Sequence, residues 1–309
     1  MNPAAFQHEA MATYFEVVIA GHEPAYARQA ATAAFRELDR LEGELSRYVE
    51  SSDIARANRL ARGETINVGE DTIECLLLAA DASLATGRAF DPSYASERAR
   101  DFPPDLPPFT LDPSAHTLTS HAVRLHLDLG AIGKGYALDR LAAILGEWAI
   151  TTACLNSGGS TALALGRPDG KPGWPIGIGE DPSHRIILLA DASLSGSGVA
   201  VKGTHLVDPR AGSLAGRRTR VWALAPGAAQ SDALSTAFFV MSEREVAAFC
   251  AAHPHIGAAV TISGERLAVY GALISHLPEL RSRECTSQGV RPALATTGSP
   301  RKKHGPLRP

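Results

Sequence analysis

The stretch DLGAIGKGY at residues 128–136 sets an acid, three glycines and a lysine at one corner of the chain. It follows residues 124–127, where leucine alternates with polar residues, and it precedes the helix-like run 137–145. Glycine lets a ligand approach the backbone closely, and the unpartnered first amides of a helix favour anions. We therefore predict a strand-to-helix corner that binds an anion; the alternative is an ordinary corner that Asp128 caps.

The chain's 309 residues are 45% hydrophobic, which predicts one large domain or two intimate lobes around a sizeable core. The net charge of −3 gives no electrostatic footprint for nucleic acid, so no nucleic-acid partner is expected. No run of about 18 apolar residues is present, which predicts no transmembrane segment. The first residues lack a basic segment followed by an apolar one, so we expect a cytoplasmic protein without a secretory signal.

Four cysteines, at positions 75, 154, 250 and 285, are far apart and form no CxxC pair. A disulfide framework or a structural zinc site is therefore not expected. Cys75 and Cys250 fall within helical apolar patterns and are predicted to be core residues.

Apolar spacing predicts a strand and two helices before the central corner. The strand covers residues 11–20, which are rich in β-branched and aromatic side chains. The first helix follows from apolar residues spaced by three and four, and the second begins at an Asp71 cap and ends near Gly87. Residues 101–114, rich in Pro and Asp, are predicted to be a surface loop.

After the corner, the sequence predicts more strands and two more helices. The strands are expected at residues 152–155, 185–190, 220–225, 258–262 and 267–273. One helix opens at residues 231–236, and a capping box at residues 242–245 begins the last helix. The small polar stretch 193–198 is predicted to be a loop that either cradles a phosphate or is flexible.

Asp232 and Thr236 are four residues apart and so share one face of the predicted helix. A carboxylate and a hydroxyl together suit a hard cation such as Mg²⁺, which takes oxygen ligands and keeps several waters. The alternative is structural: Asp232 caps the helix and Thr236 packs within it.

Several common enzyme motifs are missing from the sequence. It contains no GxSxG elbow, no GxGxxG fingerprint and no P-loop. A serine hydrolase, a Rossmann dinucleotide site and a Walker nucleotidase are therefore all disfavoured.

Seven motifs occur in a fixed order along the chain. They are MATYF at 11–15, LSRY at 45–48 with SDI at 52–54, AFDP at 89–92, DLGAIGKGY at 128–136, NSGG at 156–159, HLVDPRAG at 205–212 and DALST at 232–236. Together they resemble the ApbE family of FAD:protein FMN transferases, over roughly residues 11–275. The resemblance implies an α+β, ApbE-like fold, in which mixed sheets and helices form two interleaved lobes around a flavin cleft.

The resemblance also divides the chain. Residues 1–10 would be a short leader, residues 11–280 an ApbE-like flavin transferase domain, and residues 285–309 a disordered C-terminal tail. The tail is consistent with its Ser, Pro, Gly and basic composition.

The roles of individual residues follow from the same resemblance. It implies that Mg²⁺ is held by Asp232, Thr236 and the backbone carbonyl of Ala131. Asp128 and Lys134 match positions that contact FAD. The positions that line the flavin and adenine sites are Met11, Tyr48, Ala89, Phe90, Asp91 and Leu206.

The implied reaction is Mg²⁺-dependent transfer of the FMN moiety of FAD to a threonine or serine hydroxyl of an acceptor flavoprotein, with release of AMP. The acceptor would carry a threonine/serine flavinylation motif. His205 matches a histidine near the diphosphate, and Asp232, His205 and Asp208 are candidates for the base. Two alternatives remain: an Mg²⁺-dependent FAD pyrophosphatase giving FMN and AMP, or a non-enzymatic FAD-binding protein. Ser160 stands where an acid or amide is common in the family, and Ser235 where some members carry another acid. One fewer acid implies weaker cation binding or a shift in the balance between transfer and hydrolysis.

Overall fold

The computed structural model describes residues 2–100, 103, 106–178, 185–198, 207–214, 220–261 and 267–277. Its helices are α1 (Pro24–Leu45), α2 (Asp53–Ala57), α3 (Glu70–Ala85), α4 (Gly133–Glu147), α5 (Ala228–Val240) and α6 (Glu243–Ala252), with a 3₁₀ helix at Ala272–His276. Its strands are β1 (Ala4–Ala10), β2 (Thr13–Ile19), β3 (Thr65–Asn67), β4 (Phe109–Asp112), β5 (Thr117–Ser120), β6 (Ala153–Ser157), β7 (Thr161–Leu165), β8 (Trp174–Gly177), β9 (Ile186–Leu189), β10 (Ala192–Gly198), β11 (Val207–Asp208), β12 (Ser213–Leu214), β13 (Arg220–Ala225), β14 (Gly257–Thr261) and β15 (Leu267–Gly271). The mixture of sheets and helices confirms the predicted α+β class.

Eight strands form one antiparallel sheet in the order β1-β2-β6-β7-β10-β13-β14-β15. Side chains alternate between its two faces, as the pleat requires. On one face, Phe15 and Val221 pack with helices α1, α4 and α5 in the larger core. On the other face, Leu194 and Trp222 pack with the β8–β9 pair and the 3₁₀ helix in a smaller core. The main sheet therefore separates two cores.

A three-stranded sheet in the order β3-β5-β4 extends the larger core. It contributes Phe109 and Leu118, both buried among residues from the helices. Segments from the beginning, middle and end of the chain thus share one core, as two interleaved lobes require. Residues 278–309, which hold the predicted domain end and the tail 285–309, lie outside the described residues.

The N-terminal residues are part of the fold. Residues 4–10 form β1, which pairs with β2 from Ala4↔Ile19 to Ala10↔Thr13. These residues lie within the segment 1–10 that the resemblance sets apart as a leader. β1 is the edge strand of the main sheet, and half-buried and exposed side chains alternate along it because one face packs against the protein.

Three local predictions around the sheet are wrong, wholly or in part. Residues 124–127 do not form a strand: their pairing is a single bridge between Glu97 and Arg124, although Leu125 and Leu127 are buried. Residues 193–198 are not a loop but belong to β10, which is hydrogen-bonded to β7 and β13. The predicted loop at 101–114 also ends early, because residues 109–112 form β4.

Asp71 does not cap α3, because the cap residue is Gly69. Asp71 is buried and is instead the centre of a charge network that joins α1, α3 and α4; we call it the Asp71 network. The other members are Glu37, Arg40, Glu44, Glu74, Tyr136 and Arg140. Burial opposes the charge of Asp71, but the hydroxyl of Tyr136 and the guanidinium of Arg40 bind the carboxylate, and its pKa is lowered overall. The network fixes the packing of the three helices.

The prediction for the cysteines is confirmed where the structure describes them. Cys75, Cys154 and Cys250 are buried and carry no disulfide. Burial raises the pKa of the Cys154 thiol to about 12 and that of Cys250 to about 11. These thiols are inert core residues. Cys285 lies outside the described residues.

Candidate active site

The candidate site begins where α4 and α5 cross. A Cβ atom on Gly135 of α4 would lie 2.2 Å from the carbonyl oxygen of Ala228 at the start of α5, so only glycine permits this approach. One turn later, the Asp139 carboxylate accepts hydrogen bonds from the amides of Ala228 (2.7 Å) and Ala229 (2.8 Å). Asp139 thus satisfies the first amides of α5, whose own cap residue, Gly227, has no side chain. The two helices are locked in one register.

Burial at this crossing raises the pKa of Asp139, while the hydrogen bonds from the amides of Ala228 and Ala229 oppose that shift. The carboxylate holds the beginning of α5, and α5 carries Asp232 and Thr236 on its next turns. The position of these two side chains relative to the central corner therefore depends on Asp139.

An open cleft of about 610 Å³ lies in front of this crossing. It brings together eight of the residues expected to bind flavin or metal. They are Met11, Ala89, Phe90, Asp91, Asp128, Ala131, Lys134 and Thr236. A second compartment of about 300 Å³ adjoins it, shares Met11, Asp128 and Lys134 with it, and is lined by Tyr48. The predicted residues therefore converge on one two-part cleft.

The central corner supplies both charge and backbone groups to this cleft. Asp128 accepts a hydrogen bond from the amide of Gly130 at 2.9 Å, so it braces the turn and does not cap α4, whose cap residue is Ile132. Lys134 donates to the carbonyl of Gly130 at 2.8 Å, and its Nζ lies 3.9 Å from Oδ2 of Asp232. A cation thus stands beside the buried carboxylate at the wall of the cleft.

Asp232 is 1% exposed and sits in the second turn of α5, not at its cap. Its Oδ2 accepts from the amide of Gly135 at 3.3 Å, and its Oδ1 accepts from the hydroxyl of Ser195 at 3.3 Å. One turn further on, Thr236 reaches the cleft. The capping alternative for Asp232 is therefore wrong.

The remaining predicted residues are Asp208, His205 and Leu206. Asp208 is paired with Arg210 at 3.0 Å, and Arg210 also binds Glu245 at 2.8 Å. The guanidinium of Arg210 lowers the pKa of Asp208, which makes that carboxylate a poor proton acceptor. Its neighbours Val207 and Pro209 line the cleft, whereas Asp208 does not. His205 and Leu206 lie outside the described residues.

Several cleft residues were missed by the sequence reasoning. Arg47, Tyr94 and His126 line the main compartment, as does Ser160, which the sequence had marked only as a departure from the family pattern. Arg47 stacks on Tyr48, with Cζ 4.6 Å from the ring centroid, and its Nε lies 3.6 Å from Asp128. A signal for His126 was present in its position between Leu125 and Leu127. Because both leucines are buried, the side chain between them points away from the core.

The hairpin turn between β1 and β2 also borders the cleft. Its two residues, Met11 and Ala12, have φ values of 51° and 57°, a region that L-residues with a Cβ rarely adopt. Such values belong to a type I′ turn, where glycine and asparagine are preferred. The amide of Met11 is held by Glu42 Oε1 at 2.9 Å. Strain of this kind is typical of functional sites.

The fold and the cleft together define a class: an α+β protein whose crossing helices hold a buried carboxylate beside a lysine that lines an open cleft. The chain belongs to the ApbE family, whose sequence model matches residues 11–260. The resemblance inferred from the seven motifs is thereby confirmed.

Solved structures and curated relatives agree with this assignment. The flavin transferase ApbE from Vibrio cholerae has a TM-score of 0.76 at 20% identity, over 89% of this chain and 99% of that chain. The flavinyl transferase ApbE of Pseudomonas stutzeri, in its apo form, has a TM-score of 0.75 at 23% identity, over 89% and 98%. At these identities the likeness shows the shared fold.

The curated relatives are named FAD:protein FMN transferase. The protein from Klebsiella pneumoniae is 23% identical over 75% of this chain and 76% of its own length. The one from Rhodobacter capsulatus is 28% identical over 92% of this chain and 59% of its own length, and the one from Treponema pallidum is 27% identical over 54% and 52%. The chain thus spans between about half and three quarters of these relatives. Within the described residues, no helix has both the length and the apolar character needed to cross a membrane.

Proposed function

We propose that this chain transfers the FMN moiety of FAD to a serine or threonine hydroxyl of an acceptor protein. The observation that carries the proposal is the meeting of Thr236 and Lys134 with the central corner at one cleft, with the buried Asp232 carboxylate 3.9 Å from Lys134 Nζ. The names of the curated relatives support the same reaction.

The donor set at the cleft fits Mg²⁺. Asp232 offers a carboxylate, Thr236 a hydroxyl and Ala131 a backbone carbonyl, so every ligand is an oxygen. Among the described residues, no group of three His, Cys, Asp or Glu side chains is placed to hold a metal. A site with one carboxylate suits an ion that keeps several waters and is completed by phosphate oxygens. When bound, Mg²⁺ would neutralise charge that develops on the diphosphate.

The chain's own cations supply the rest of the electrostatic stabilisation. Lys134 and Arg47 both border the cleft, on either side of Asp128. Fixed cations at a low-dielectric wall stabilise a diphosphate more strongly than they would in water. Gly130 and Gly133 lie at the edge of the second compartment, where they let a ligand approach the backbone.

The proposed step balances as follows. The acceptor hydroxyl oxygen forms a bond to the phosphorus of the FMN half, the bond from that phosphorus to the bridging oxygen breaks, and AMP leaves with the electron pair. The hydroxyl proton passes to a base. Of the three candidates, Asp208 is disfavoured by its pairing with Arg210. Asp232 and His205 stay as candidates, and an acceptor flavoprotein with a threonine/serine motif stays part of the proposal.

The test is incubation of the purified chain with FAD, with and without Mg²⁺, and with a peptide carrying an Asp-x-x-(Ser/Ala)-Thr-like motif. Mass spectrometry of the peptide and detection of AMP report the reaction. An FMN adduct on the peptide together with Mg²⁺-dependent AMP release supports transfer. AMP and free FMN without an adduct would establish the pyrophosphatase instead, and tight FAD binding without turnover would leave a binding protein.

A further inference from the structure

Strand β10 presents a row of serines to helix α5. Ser193, Ser195 and Ser197 alternate along the strand and are 0%, 0% and 2% exposed. Buried hydroxyls cost free energy unless they are hydrogen-bonded, so alanine or valine would be the ordinary choice between a sheet and a helix. The row therefore calls for an explanation beyond packing.

The hydroxyls form a connected chain that reaches both residues assigned to the cation site. Ser195 Oγ lies 2.9 Å from Thr161 Oγ1 and donates to Oδ1 of Asp232 at 3.3 Å. Ser197 Oγ lies 2.9 Å from Ser235 Oγ and 3.5 Å from Thr236 Oγ1. One strand thus contacts both side chains.

The direction of the hydrogen bond between Ser195 and Asp232 follows from proton counting. An ionised carboxylate only accepts, so Ser195 donates its single proton to Asp232 and accepts from Thr161. Ser235 lies within reach of the same group: its Oγ is 2.9 Å from the backbone carbonyl oxygen of Asp232 and 3.3 Å from Ser195 Oγ.

The Asp232 carboxylate is thus held on both oxygens, by the Ser195 hydroxyl on Oδ1 and by the Gly135 amide on Oδ2, each at 3.3 Å. Contacts of this kind orient a metal ligand before the cation binds.

We propose that Ser195 is a positioning residue for the cation site: its hydroxyl fixes the orientation of the Asp232 carboxylate. The inference rests on the proposed function, in which Asp232 and Thr236 hold the cation. Hydrogen-bond partners of metal ligands typically change metal affinity by about 10–100-fold when removed.

Ser193 provides a matched control. It lies on the same strand and the same face and is equally buried, but its hydroxyl contacts Ser231 at 2.7 Å and the carbonyl of Ala162 at 2.9 Å. Neither of these partners is a proposed ligand. Ser193→Ala therefore removes a buried hydroxyl from β10 without touching Asp232 or Thr236.

The experiment measures Mn²⁺ affinity by electron paramagnetic resonance, without FAD, in the full-length wild type and in Ser193→Ala, Ser195→Ala and Asp232→Asn. We expect Ser195→Ala to weaken binding by about 10–100-fold. Ser193→Ala should stay within about twofold of the wild type. Thermal unfolding in EDTA should show similar losses for Ser193→Ala and Ser195→Ala, because both remove one buried hydroxyl bond.

Ser195→Cys keeps the side-chain volume but replaces a strong donor by a weak one, so it should behave like Ser195→Ala even where the alanine variant does not fold. Equal Mn²⁺ affinity in Ser193→Ala and in both Ser195 variants, with binding lost in Asp232→Asn, overturns the positioning role and leaves the cation site intact. Wild-type affinity in Asp232→Asn overturns the cation site itself, and the positioning role with it.

Discussion

Asp71 and Asp232 are both buried carboxylates, but their surroundings differ. Asp71 has Arg40 and Arg140 as ion-pair partners and also accepts from the hydroxyl of Tyr136. Asp232 accepts from Ser195 and one amide, and its nearest cation, Lys134, stands 3.9 Å away without a hydrogen bond to it. The Asp71 carboxylate already has two guanidinium partners, whereas Asp232 has one cation near it, at 3.9 Å. The difference separates a carboxylate that stabilises the fold from one that is available to a ligand.

The largest expected effect on activity comes from neutralising the Asp232 carboxylate. Asp232→Asn should reduce the rate of FMN transfer by about 10²–10³-fold, since one preorganised electrostatic group is typically worth that much. The free energy of unfolding should change little, because no ion pair at hydrogen-bond distance is broken. Steady-state kinetics with FAD and the acceptor peptide, together with urea unfolding, measure both. Wild-type turnover in this variant would contradict the assignment of Asp232.

At Asp71 we expect the reverse: a loss of stability without a loss of activity. Asp71→Asn should lower the free energy of unfolding by about 2 kcal/mol, since hydrogen bonds to charged groups are each worth about 1.5–3 kcal/mol and the partly exposed arginines recover some hydration. Transfer per folded molecule should stay near the wild-type value. Urea unfolding at pH 7 provides the measurement. A large loss of turnover in fully folded Asp71→Asn would show that the two regions are not separate in function.

The pH dependence of stability sharpens the same contrast. The pKa of Asp71 is lowered in the folded state, so its contribution is fully present above the pKa of the unfolded chain, about 4, and is lost as the pH falls through the lower folded value. We expect the unfolding free energy of the wild type to fall below about pH 4 more steeply than that of Asp71→Asn. Urea titrations at several pH values from 7 to 3 give both slopes; parallel curves would rule out this role.

The smallest expected effect concerns strain at the cleft. Ala12→Gly should raise the free energy of unfolding by about 0.5–1 kcal/mol, because the positive φ that costs an alanine about 1–2 kcal/mol is free for glycine, less the entropy that glycine loses on folding. Ala149 follows α4 with a φ of 53° and lies outside the cleft, so Ala149→Gly is the matched control. Thermal unfolding measures the gain in each. Only Ala12→Gly should also change the KM for FAD.

Local signals in the sequence predicted much of the fold. The capping box at Ser242 and Glu245 begins α6 as expected, and α4 follows the central corner, because both depend on neighbours within a few residues. The segment 193–198 was misjudged because serine and glycine have low strand propensity. Its place in β10 depends on β7, β13 and the hydroxyls of α5, which are distant in sequence.

The other errors have the same origin. Leucine alternation at 124–127 resembles a strand, but the amide of Leu127 is bound by the side chain of Asn58 and that of His126 by Ser96, so no ladder forms. Asp71 looked like a helix cap because Arg40 and Arg140 cannot be recognised as its partners from spacing. The expected site residues came from the seven motifs and their resemblance to the family. Ser195 and Ser197 lie outside those motifs and were not identified as site residues.

The order of strands in the main sheet has a consequence for how this chain is made. β2 pairs with β6, so Phe15 faces Ser157 across the sheet, and more than a hundred residues must be synthesised before that pairing exists. At about 5–20 residues per second, the β1–β2 hairpin waits on the order of ten seconds with one edge of β2 open. During that time Phe15, Val17 and Ile19, all fully covered in the finished protein, have no partner strand. The nascent chain is therefore most prone to aggregation before its first half has been completed, and chaperone binding is expected at this hairpin.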